Sequence, residues 1–318
     1  MPAYPDGVYG AVPAIGAIAL ANLVVFVWLR AYRSSSPKQL FFDIAWCMPS
    51  FGILIVLACA GLTGHLAIPL RYLALNTCIM VAAGALALVR LLVLGALERA
   101  ERRQAQMACA LRDGLVLVAV TVLSFFMLEI PWNTLLFELK LSYVTINLVL
   151  IVIPYIILYV IGNRRGSVLL IPLAAYAVMG IAQFFVAEFK SSAILPSDLL
   201  ALGTALSVSG GYSFVLSVQP LIALSLAAVA VSLLSLMRPM PRPAELGKRP
   251  RVLLTSARIV AGCVMIALVG ALSHTVSLCR DFGLQESFWD ALGVYRSQGF
   301  AASFASLIQN ARIEAPEG

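Results

Sequence analysis

Eight apolar stretches, each close to the length of a membrane-crossing helix, are separated by seven connections that are alternately rich and poor in Lys and Arg. The stretches lie at about 8–29, 40–62, 72–97, 114–131, 142–162, 167–188, 215–237 and 252–276. A helix needs roughly 20 apolar residues to cross about 30 Å of hydrocarbon, so each is long enough to span. Fourteen of the chain's 22 Lys and Arg fall in the odd-numbered connections. They are Arg30, Arg33 and Lys38; Arg99, Arg102, Arg103 and Arg112; Arg164 and Arg165; and Arg238, Arg242, Lys248, Arg249 and Arg251. The even-numbered connections hold only Arg71, Lys140 and Lys190. The positive-inside bias then places the Arg-rich connections in the cytoplasm and both termini outside. The fold class this predicts is all-α, a polytopic membrane bundle of about eight transmembrane helices.

Composition excludes most alternatives. With 61% hydrophobic and 12% charged residues and a mean hydropathy of +0.96, too little polar surface exists to clothe a water-soluble domain. The net charge of +7 does not point to nucleic acid, because the excess cations sit beside span ends, where anionic lipid attracts them. Six scattered cysteines without a Cys-x-x-Cys pair argue against a zinc site or a disulfide framework. His65 and His274 are far apart in sequence and read as interfacial residues rather than metal ligands. No phosphate-binding glycine loop, Gly-x-Ser-x-Gly elbow or His-Glu-x-x-His helix occurs. Asp6 precedes the first span and no Lys or Arg comes before Arg30, the reverse of a signal peptide, so that span is expected to stay as an anchor.

Two outer segments carry more specific patterns. After the sixth span, Pro196 breaks the chain, Ser197 and Asp198 suit a helix start, and Leu199, Leu202 and Leu206 precede Gly210-Gly211-Tyr212. The spacing predicts a short interfacial helix with a leucine stripe. After the eighth span, Trp289, Leu292 and Tyr295, then Phe300, Phe304 and Leu307, repeat at helical spacing on either side of Gly299. They predict two juxtamembrane helices whose aromatics form a packing surface. The expected organisation is a transmembrane domain over 1–278 and an extracellular juxtamembrane stalk over 279–318. Glu129, Glu188, Lys190 and Asp198 all fall at the outer boundary, while Asn147 reads as an interhelical hydrogen bond.

Several of these patterns resemble the membrane half of the lipoteichoic acid synthase and phosphoglycerol transferase family, membrane-anchored members of the alkaline phosphatase and sulfatase superfamily. The likeness rests on Glu129 followed by Asn133, and on Asn147-Leu148 opening an aliphatic run that ends at Asn163-Arg164-Arg165. It rests also on Phe189-Lys190 through Pro196-Ser197-Asp198-Leu199 to Tyr212, and on Trp289, Tyr295, Gly299-Phe300, Phe304 and Pro316-Glu317-Gly318. The resemblance implies a multi-pass protein of the bacterial plasma membrane that anchors an extracellular catalytic domain and positions a phosphatidylglycerol-like lipid for cell-envelope polymer synthesis. It implies Glu129, Asn133, Glu188, Lys190, Asp198 and Tyr212 as candidate headgroup-binding residues. The threonine nucleophile and the divalent metal, manganese, belong to the catalytic domain, attached in cis or carried on a separate chain; this chain holds no counterpart and is not expected to be catalytic by itself. The alternative is a self-contained transporter of a lipid or small molecule, which would place ionisable groups near the bilayer midplane.

Overall fold

The computed structural model describes residues 37–99, 102–199, 215–237, 248–287 and 289–310. Among them helices are joined by short turns, with one isolated parallel bridge, Leu66 to Leu216, and no strand. Six helices are long and apolar enough to cross a membrane. These are α1 (Pro37–Leu62), α2 (Leu70–Arg99), α3 (Arg102–Glu129), α4 (Leu141–Ile161), α5 (Gly166–Lys190) and α7 (Lys248–Thr275); between the last two lies α6 (Val218–Leu234). The chain is thus an all-α membrane bundle. The span expected at 8–29 lies outside the described residues. So does most of the interfacial helix expected after Ser197, of which a 3-10 turn at Pro196–Leu199 is described.

Where a full span was expected over 215–237, α6 has 17 residues, about 26 Å at 1.5 Å per residue. Its start is delayed because Leu216 is held in the bridge: its N–H donates to the His65 carbonyl and its carbonyl accepts from Ala67 N–H, each at 3.0 Å. The shorter length is tolerated because α6 is wrapped by α1, α2, α3 and α5 rather than by lipid. Its small polar groups serve that packing. Ser225 Oγ donates to Asn76 Oδ1 at 2.5 Å and Ser232 Oγ to the Ala83 carbonyl at 2.6 Å, both on α2. Where α5 begins beside the end of α6, only glycine fits, since a Cβ on Gly166 would stand 2.0 Å from the Leu234 carbonyl oxygen.

Two apolar clusters meet across α6. One joins Phe51, Leu57, Leu73 and Met80 to Leu221 and Ala228; the other joins Met127, Leu128, Ile151 and Leu169 to Leu234. By contrast α7 packs mainly on α4, and only 6% of its apolar window is buried.

Helix α4 supplies a depth scale. Its 21 residues rise about 31 Å, matching the hydrocarbon thickness, and Lys140 precedes it while Arg164 and Arg165 follow. With α4 upright across the bilayer, Leu141 stands at the upper edge of the hydrocarbon and Ile161 at the lower, and depths are measured on that scale. At the lower edge buried Asp113 of α3 ties the helices together. Its Oδ1 lies 2.7 Å from Arg112, its Oδ2 lies 3.3 Å from Arg164 Nε and accepts from the Tyr159 hydroxyl at 2.9 Å. Asn163 and Arg164 adopt left-handed backbone, φ 54° and 63°, to turn the chain there.

Candidate functional site

Past α7 the chain does not simply leave the bundle. After a short helix α8 (Leu278–Phe282), α9 (Ala291–Gln298) and α10 (Phe300–Asn310) form a hairpin whose joint, Gly299, meets α4 at Asn147. Gly299 has φ +90° and ψ 156°, a region essentially restricted to glycine. A Cβ on it would also stand 2.5 Å from Asn147 Nδ2.

Asn147 is six residues past Leu141, about 9 Å below the upper hydrocarbon edge. A helix that starts at that depth brings unpaired N–H groups where no water can receive them. Two side chains receive them. Glu129 Oε1 accepts from Phe300 N–H at 2.5 Å, and Asn147 Oδ1 accepts from Ala302 N–H at 3.0 Å. The Asn147 amide also donates to the Gln298 and Tyr143 carbonyls, each at 2.7 Å. Glu129 Oε2 accepts from Asn133 Nδ2 at 2.8 Å, and Asn133 Oδ1 in turn accepts from Leu135 N–H at 3.0 Å. The fully buried carboxyl group of Glu129 thus sits at the positive end of the α10 dipole.

A third polar side chain extends the arrangement to α5. Buried Gln183 accepts from Ile194 N–H at 2.8 Å through Oε1. The same loop is joined to the hairpin by the Tyr295 hydroxyl, which donates to the Ile194 carbonyl at 3.0 Å. Burial pushes the Tyr295 pKa up, and the nearby Asp198 charge adds to the effect. Trp132, Tyr295 and Phe300 pack edge-to-face, with centroids 5.4–6.5 Å apart, and close the joint from above. At the far end of α10, Gln309 Nε2 donates to the Ser273 and Val276 carbonyls, and Ser306 Oγ donates to Glu286 at 2.7 Å.

The headgroup candidates occupy quite different settings. Glu129 and Asn133 are buried and bonded to one another, with Glu129 also accepting from the α10 terminus. Glu188 and Lys190 are exposed on the last turn of α5. Asp198 closes its own 3-10 turn, its Oδ2 accepting from Leu195 N–H at 2.8 Å. Tyr212 lies outside the described residues. Asn147, expected to join helices, does so, bonding α4 to the backbone of Gln298 in α9 and Ala302 in α10. Gln183, where the resembled family often carries Asn, is signalled by an amide inside an apolar span; Asp113, just before the expected span 114–131, carries no such signal. Of the aromatics expected to pack, Tyr295 and Phe300 are buried, whereas Trp289 is fully exposed.

Among the described residues no group of three or more His, Cys, Asp and Glu side chains could hold a metal ion, so the manganese implied by the resemblance has no fitting ligand set there. The arrangement contains a built protein-to-protein clasp rather than an assembled set of reactive groups. Compared with known protein families, with curated proteins and with solved structures, the chain matches none.

Proposed function

We propose that this chain is a membrane module that holds its juxtamembrane hairpin at a fixed depth and so positions a lipid-modifying catalytic domain at the outer leaflet, as in a phosphoglycerol transferase of the lipoteichoic acid synthase type. The observation that carries this reading is the capture of the α10 N-terminus by Glu129 and Asn147. A merely flexible tether needs no such sockets, because its backbone would be hydrated. In this reading the upper end faces outside, both termini lie there, and exposed Lys190 meets the headgroup of a phosphatidylglycerol-like lipid. Chemistry belongs to the partner domain, in cis or on another chain. A transporter would concentrate ionisable groups at mid-depth; the buried carboxylates Asp113 and Glu129 are 16 residues apart on α3, Glu129 at its last residue and Asp113 beside the lower end of α4, and both are used to join helices.

The test uses the whole chain in nanodiscs, with a spin label at Asn310→Cys and a depth measurement. The label is expected at one depth, and Asn147→Ala is expected to broaden it; a broad distribution in both would overturn the positioning role. Lys190→Ala should weaken phosphatidylglycerol binding more than Arg165→Ala does. Manganese-dependent release of diacylglycerol by this chain alone would show that the chemistry resides here after all.

A further inference from the structure

Trp289 and Phe137 project from the upper end with 101% and 91% of their surfaces exposed, and Leu141 follows with 80%. Their backbone is held in place. The turn carrying Trp289 is closed by Asp290, whose N–H donates to Ser287 Oγ at 3.1 Å and whose Oδ1 accepts from Gly293 N–H at 3.0 Å. Phe137 lies in a 3-10 turn, Leu136–Glu138, that touches α9 and leads directly into α4.

The height of Trp289 can be bounded. Gln298 is bonded to Asn147, about 9 Å below the hydrocarbon edge, and nine residues separate it from Trp289. Seven helical steps of an upright α9 and the two turn residues before it raise Trp289 by at most about 17 Å, roughly 8 Å above Leu141. The headgroup zone extends about 5–7 Å beyond the hydrocarbon on each side, so that limit reaches its outer edge and any tilt of α9 brings the indole down into it. Phe137, four residues before Leu141, lies in the turn that touches α9. Below them Leu141, Val149 and Ile156 continue an exposed apolar stripe down α4, with Lys140 beside its top.

We propose that Trp289 and Phe137 are seated in the phospholipid interface of the upper leaflet, so that the hairpin is fixed by polar sockets on its inner side and by lipid on its outer side. Amphipathic indole suits that zone, where its N–H finds water or headgroup oxygens while its ring leaves water. The surface is continuous with the lipid-facing stripe of α4, which makes lipid its occupant.

The experiment reads fluorescence of the full chain in phosphatidylcholine vesicles, taken as wild type minus Trp289→Phe so that the other tryptophans cancel. The difference emission is expected to be blue-shifted, to be largely lost when the lipid carries bromine near the top of its acyl chains, and to resist aqueous iodide. Phe137→Trp in the Trp289→Phe chain should behave alike, giving a second probe if the first variant is perturbed. Quenching by iodide but not by bromolipid would overturn the proposal in favour of water. Emission quenched by neither, and dependent on the protein-to-lipid ratio, would overturn it in favour of a second copy as the occupant.

Discussion

Replacing Asn147 by alanine should release the hairpin while leaving the bundle intact. The change deletes the acceptor of Ala302 N–H and the donor to the Gln298 carbonyl, and leaves both backbone groups buried beside α4. Each unpaired buried group costs about 1–3 kcal/mol, so docking of α9 and α10 should weaken by about 2–6 kcal/mol. At about 1.4 kcal/mol per decade, that is a rise in hairpin opening of roughly 30-fold at the least and on the order of 10,000-fold at the most. Hydrogen exchange of peptides covering 291–310 reads it directly, because local opening there is separable from global unfolding. Peptides from α3, α5 and α6 should keep their protection. Glu129→Gln, which retains an acceptor for Phe300 N–H, should have a much smaller effect than Glu129→Ala, and Gly299→Ala should reproduce the Asn147→Ala phenotype through its clash with the same amide. Ser225→Ala, in the α2–α6 contact, should leave hairpin exchange unchanged. Unaltered exchange in Asn147→Ala, or an equal rise in every helix, would refute the idea of a clasp and make Asn147 an ordinary core group.

The remaining predictions probe other contacts. Gly166→Ala should lower the melting temperature in detergent markedly, since its Cβ meets the Leu234 backbone, whereas Gly114→Ala, with nothing within 4 Å, should be neutral or slightly stabilising. Asp113→Ala strips Arg112, Arg164 and Tyr159 of a shared, buried acceptor, though the arginines themselves keep some exposure to water; thermal unfolding should show a loss of about 1–3 kcal/mol, and an unchanged transition would remove its structural role. Burial, reinforced by the Glu286 carboxylate, pushes the Cys279 thiol above its ordinary value. Because the thiolate is the nucleophile, its alkylation should require higher pH than a free cysteine peptide, and a profile at or below the peptide's would contradict the assignment. Impermeant cysteine labelling from outside should reach position 190 and spare position 102; the reverse would invert the proposed orientation.

Much of the bundle was legible because lipid imposes one rule on every span, a run of apolar residues closed by polar ends. That rule found the limits of α4 almost to the residue, with Lys140 and Arg164 as markers. It overestimated α6, whose apolar run is long enough to span but whose first residues are diverted into a backbone bridge with Leu66. Hydropathy records affinity for a nonpolar setting and does not separate lipid from protein as the source of it. The two juxtamembrane helices and their glycine joint were likewise legible from spacing. What spacing could not supply was their depth. Nothing in the sequence near Gly299 says that it returns about 9 Å below the edge of α4, because the partners of that contact lie 152 and 170 residues earlier, at Asn147 and Glu129.

That separation explains why the candidate residues are legible in the sequence while the backbone partner of Glu129 is not. An ionisable group near a span end is equally suited to a lipid headgroup and to an exposed helix terminus, since both offer a compensating charge or donors in a place short of water. The two uses differ only in what approaches from above. Here the approaching group is the α10 terminus, and it meets Glu129 and Asn147 together. The same rule that forbids unpaired backbone in the bilayer therefore makes these two polar residues necessary as soon as a helix begins at that depth. Remove them and the hairpin can satisfy its backbone only by rising into water. Its depth, and with it the position of whatever acts beside it, is then set by the bundle through two side chains rather than by the length of the chain that follows.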